Sequence, residues 1–94
     1  MPIDLASDPV LVRVVGAVEA EVDGERILLS PRDFAYFGLA GAGAPVWDRI
    51  DGQRTCSQIV AVLEGEFTAE PGVIRRETEE FVQALAGAGL ITAG

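Results

Sequence analysis

Histidine and lysine are both missing from this chain of 94 residues, and cysteine occurs once. Without histidine the commonest general base and the commonest metal ligand are gone, and the single thiol of Cys56 completes neither a zinc site nor an internal disulfide. Catalysis would have to rest on carboxylates or on that thiol. Cys56 has no histidine to activate it, and the acidic residues fall at turns or on helix surfaces with no partner to shift their pKa values. The sequence therefore reads as non-enzymatic, with no cofactor and no metal. No run of roughly 18 uncharged apolar residues is present to span a bilayer, and the N-terminus M-P-I-D-L-A-S-D-P lacks a basic region followed by an apolar one. Together with the lone cysteine, this predicts a cytoplasmic protein with no membrane partner. Cationic charge is scarce too: seven arginines face fifteen acids, for a net charge of -8. Such a chain repels phosphate at long range, which counts against nucleic acid as a partner.

What is present is apolar. With 49% hydrophobic and 23% charged residues the chain is long enough for one core and too short for two. Residues 1–9 have no periodicity and read as a flexible lead-in, leaving residues 10–94 as the single domain. Residues 10–15 are β-branched, Gly16 interrupts them, and V-E-A-E-V over residues 18–22 puts Val18, Ala20 and Val22 on one face and Glu19 and Glu21 on the other. This is one strand bent at Gly16 or two short ones. Asp23-Gly24 is a hairpin turn, and residues 26–30 form the return strand. Ser30-Pro31-Arg32-Asp33 turns the chain again, into a third strand over residues 34–39. Alternation assigns Ala35, Phe37 and Leu39 to the core side and Phe34, Tyr36 and Gly38 to the other.

The glycines at 38, 41 and 43 lack the third glycine of a dinucleotide fingerprint and the lysine of a phosphate loop, so they read as a tight passage from strand to helix. A first helix over residues 43–50 buries Val46, Trp47 and Ile50 and stops at Asp51-Gly52. Thr55-Cys56-Ser57-Gln58 has the form of a capping box and starts a second helix carrying Ile59, Val60, Leu63 and Phe67. Pro71 opens a third, to about residue 88, with a stripe of Ile74, Thr78, Phe81, Val82 and Leu85. Arg75, Arg76, Glu77, Glu79 and Glu80 crowd its remaining surface, and Leu90-Ile91 packs back on the core. The fold class is α+β, winged helix-turn-helix-like, with a three-stranded antiparallel sheet followed by three helices. That order also suits a winged-helix nucleic-acid-binding or regulatory module, but the acidic third helix opposes phosphate contacts.

At this point A-Y-F-G-L, then G-A-x-x-V-W-D-R-I-D-G-x-R-T-C-S-Q-I-V, then F-V-Q-A-L-A-G-A-G-L-I resemble the PqqD family, also called the RiPP precursor peptide recognition element. The resemblance runs over residues 18–91 and is most specific over residues 47–59. It implies a non-catalytic module that binds the leader segment of a ribosomally made precursor peptide and presents it to a modifying enzyme, a leader peptidase or a radical SAM maturase, in lasso peptide or pyrroloquinoline quinone biosynthesis. The leader would add as a strand along Phe34, Ala35, Tyr36, Phe37, Gly38 and Leu39, in a groove walled by Arg75, Thr78, Glu79 and Val82. The same edge is open to pairing with a second copy, as a homodimer. Two residues depart from the family: Ala40 replaces a usual asparagine, and Thr78 a usual aliphatic residue.

Overall fold

The computed structural model describes residues 3–33, 35–39 and 43–94. Its elements are β1 (Leu11–Arg13), β2 (Val18–Val22), β3 (Glu25–Leu29), β4 (Tyr36–Gly38), α1 (Gly43–Arg49), α2 (Cys56–Glu66), α3 (Val73–Gly87) and β5 (Ile91–Ala93). The α+β class and the order of sheet before helices match the sequence reading.

The meander is β2-β3-β4, antiparallel throughout. Asp23 and Gly24 close its first hairpin with φ of 51° and 81°, the pair of positive angles that a two-residue turn needs to follow the twist of its strands. Residues 10–15 do not join it. They supply β1, which pairs with β5 in a separate two-stranded sheet, Leu11 opposite Ala93 and Arg13 opposite Ile91. The break at Gly16 thus separates two strands of two different sheets. β1 is also strapped to the turn between α1 and α2, where Leu11 N-H donates to Arg54 O at 3.0 Å and Gly52 N-H to Leu11 O at 3.2 Å.

The core lies between the inner face of the meander and the three helices. Leu11, Leu28, Ile50, Ile59, Leu85 and Leu90 are fully buried, with Val46, Trp47, Val60 and Val82 beside them. α2 begins as the capping box requires: Thr55 Oγ1 accepts from Gln58 N-H at 3.2 Å, and Gln58 Oε1 accepts from Thr55 N-H at 2.9 Å. Asp8 adds a third cap, accepting from Ser57 N-H at 3.1 Å, and this bond holds its carboxyl below the usual carboxylate range. The lead-in is fastened a second time where Gln83 exchanges hydrogen bonds with the backbone of Ile3.

β2 turns its faces in an instructive way. Its glutamate side points inward, where Glu19 pairs with Arg26, which also meets Asp48 of α1 at 2.8 Å. Glu19 further accepts a long hydrogen bond from the Trp47 indole at 3.4 Å, and Arg13 lies 4.2 Å above the same ring. Arg26 is the hub that ties sheet to helix, and it holds both Glu19 and Asp48 below the usual carboxylate range. A carboxylate depressed in the folded state contributes stability that is present above its unfolded pKa, and that is lost as pH falls through the folded value. Arg26→Ala is therefore expected to lower the melting temperature at pH 7 and to have a smaller effect near pH 3. Thermal melts at the two pH values check this; an equal drop at both would mean that the side chain acts through packing alone.

Candidate functional site: an open strand edge beside a helix

Strand β4 pairs with β3 on one side only, and among the described residues no strand occupies its other edge. The register places Leu28 opposite Phe37. Flanking bonds run from Ser30 N-H to Ala35 O and from Leu39 N-H to Arg26 O, each 3.0 Å. The Ala35 carbonyl, Phe37 and the Leu39 N-H thus turn toward β3, and by strand alternation Tyr36 and Gly38 turn their backbone groups outward. Four backbone groups, two donors and two acceptors, line the open edge.

Side chains alternate as the sequence predicts from Tyr36 to Leu39, but Ala35, expected on the core side, is exposed, because it precedes the strand proper and sits in the turn that Asp33 closes. Phe37 points inward and Leu39 is buried, while Tyr36 is 75% exposed on the outer face. Phe34 and Ala40 lie outside the described residues.

A helix flank borders this edge. The Phe37 and Phe81 rings meet edge to face, with centroids 5.4 Å apart. Phe81 also fills the space over Gly43, where an added Cβ would come within 2.8 Å of its ring, so the start of α1 needs glycine to lie this close to α3. Further toward the N-terminus of α3, Pro45, Leu63, Phe67, Ile74 and Glu77 line an apolar cleft of about 290 Å³. At 1.5 Å per residue, Ile74 sits about 10 Å along the helix from Phe81, so edge and cleft follow the same flank.

The side chains expected to wall a groove divide between positions. Thr78 and Val82 are interior, with exposures of 2% and 0%, though Thr78 reaches the base of the cleft. Arg75 and Glu79 pair with each other at 3.3 Å, one turn apart. Both influence the Cys56 thiol electrostatically, and Arg75 influences Asp8, so this pair sits on the flank of α3 that faces the start of α2. The structure does not bring Arg75 and Glu79 to β4. Phe81, placed by the sequence reading in the core stripe, is an α3 residue that touches the strand; the helical period alone could not tell which side of the stripe the sheet approaches. Cys56 is buried, and burial pushes its thiol up to about 11, opposite to what a nucleophile needs.

Fold and edge together define a small α+β domain that presents a strand with one open edge beside a helix. The family model described as Coenzyme PQQ synthesis protein D (PqqD) matches residues 25–91, and the chain belongs to that family. Two solved structures share the fold. TbiB1 in complex with the TbiA(beta) leader peptide is 26% identical, with a TM-score of 0.72 over 85% of this chain and 93% of that one. Lasso peptide synthetase B1 complexed with the leader peptide is 19% identical, with a TM-score of 0.74 over 88% and 98%. No curated protein matches the sequence. No helix among the described residues is long and apolar enough to cross a membrane.

Proposed function

We propose that this domain binds the leader segment of a ribosomally synthesised precursor peptide by strand addition to β4 and presents it to a modifying enzyme, a leader peptidase or a radical SAM maturase. The observation that carries the reading is the outward pair of backbone N-H and C=O groups at Tyr36 and Gly38, set beside the Phe81 flank of α3. Family membership and the leader-bound structures of similar fold support it.

Backbone pairing supplies affinity that is nearly independent of sequence, and side-chain pockets supply the choice of partner. Ordering a flexible leader costs about 2 to 5 kcal/mol, so apolar anchors are needed besides the ladder. The cleft at Pro45, Phe67 and Ile74 offers such an anchor site, one that accepts an aliphatic or aromatic leader side chain about three extended residues beyond the Phe81 contact. Thr78 and Val82 support the groove from beneath. The reading is non-catalytic, and it places the protein inside the cell with its enzyme. Pairing of two copies through β4 would occupy the same edge and compete with the leader.

Backbone amide NMR of the domain, titrated with the leader encoded beside its gene and separately with a DNA duplex, tests this. Shifts are expected at Tyr36, Phe37 and Gly38 and along the Phe81 and Ile74 flank, with DNA inert. Phe81→Ala is expected to weaken leader binding at least about tenfold, and alanine at Arg75 or Glu79 less than about twofold. Shifts confined to the Arg75 and Glu79 flank would move the site to the other side of α3.

A further inference from the structure

We infer that the outer face of the β2-β3-β4 meander is the docking surface for the modifying enzyme, and that the enzyme meets it with an apolar patch bordered by arginine or lysine. The inference rests on the leader-binding reading and adds the surface on which the third partner sits.

The face is set by register. Val18 lies opposite Leu29, Ala20 opposite Ile27 and Val22 opposite Glu25, and β3 continues the match with Leu29 opposite Tyr36 and Ile27 opposite Gly38. Directly paired residues share a face, so Val18, Ala20, Val22, Ile27, Leu29 and Tyr36 stand together. The inner face is the one that carries Leu28 and Phe37 to the core, so this second apolar face looks to solvent. Val18 and Val22 are 51% and 52% exposed. An antiparallel sheet solvated on one side ordinarily reads polar there, and this one reverses the rule by turning the glutamate of β2 inward and the valines out. At its hairpin end Val22, Asp23, Glu25, Ile27 and Tyr36 line a shallow depression.

Charge and area choose the occupant. Among the described residues Asp23 and Glu25, at the hairpin end of this face, enter no ion pair, because nearby Arg26 is engaged with Glu19 and Asp48 on the other face. A partner gains by bringing cations to that end. A second copy, itself at -8, would oppose acid to acid. Three strands of at most five residues also present only roughly 250 Å² of face, against the roughly 800 Å² per partner of a stable interface. A small face suffices when the two proteins share a tether, and a precursor held by its leader on β4 while its remaining segment lies in the enzyme is such a tether. A leader strand added at β4 would also widen this face by one strand next to Tyr36, giving the enzyme a surface that is complete only when the leader is bound.

The experiment measures two affinities on the intact chain: for the leader peptide, and, with the leader present, for the modifying enzyme encoded beside the gene. Val18→Arg combined with Val22→Arg is expected to weaken enzyme binding at least about tenfold and leader binding less than twofold, and Glu25→Arg to weaken enzyme binding and flatten its salt dependence. Val18→Thr with Val22→Thr retains β-branched strand formers should the arginine pair perturb folding, and it should weaken enzyme binding in the same direction. Enzyme binding unchanged in folded variants overturns the inference. So does a sedimentation shift from dimer to monomer on substitution, which would assign the face to a second copy. Loss of leader binding in the folded valine variants would make the face part of the leader site, and failure of the unaltered protein to bind the leader would sink the capture reading itself.

Discussion

Gly38→Pro is expected to reduce leader affinity about 30- to 150-fold while leaving the domain folded. Gly38 directs its N-H to the open edge, so the substitution removes a donor that β3 does not use, and the proline ring occupies the space where a paired strand would approach. Loss of one net hydrogen bond, a leader carbonyl left unsatisfied and displacement of the neighbouring pair together amount to about 2 to 3 kcal/mol. The site tolerates the change: Gly38 has no positive φ, and a Cβ built there meets nothing within 4 Å. Phe37, the residue before it, is already extended, as proline requires. Gly38→Ala keeps the N-H and adds only that Cβ, so it should bind within about threefold of the unaltered protein. Calorimetric titration of both variants reads the contrast. Equal affinity for the proline and alanine variants would show that the leader does not pair with β4, whatever its side chains touch.

The sequence made some of this legible and some of it not, and the division follows the range of the interactions. The Thr55 capping box, the Asp23-Gly24 hairpin and the burial of Val46 and Trp47 on α1 and of Ile50 just past its end are decided by residues within a turn of one another, and each stands in the structure where its pattern put it. The pairing of β1 with β5 joins residues some eighty positions apart, and Ile91–Ala93 is too short to show a period of its own. Alternation in β2 separated valine from glutamate but could not say which set faces the core. Arg26 and Asp48, brought in from other elements, give Glu19 its inward partners. The same limit applies to α3. Its stripe is plain in the sequence, yet whether β4 approaches from the Phe81 side or the Arg75 side depends on Gly43, which lets α1 press against one flank. The open edge could be named from the residues and the helix beside it from the family resemblance; the rotation of that helix could not.

That rotation decides what a substitution on α3 reports. Val82→Asp would be an attractive probe if the side chain lined a groove, but Val82 is fully buried. A carboxylate there has neither water nor a cation to meet, and burying it uncompensated costs several kcal/mol or forces it to stay protonated at neutral pH. Domains of this size are stable by about 5 to 14 kcal/mol, so Val82→Asp is expected to leave the chain largely unfolded at pH 7 and 25 °C, with partial recovery near pH 4 as the carboxyl is neutralised. The sign follows from burial: the folded-state pKa is raised, so the penalty is greatest above it and fades below. Val82→Ala, which creates only a small void, should remain folded at a cost of about 1 to 3 kcal/mol. Near-ultraviolet circular dichroism and thermal melts at the two pH values distinguish these outcomes, and a cooperative, unshifted melt for Val82→Asp at pH 7 would place the residue at a wet surface after all. Lost leader binding in that variant is then a consequence of lost structure and carries no information about the site. Gly38→Pro, by contrast, changes a group that the fold leaves free.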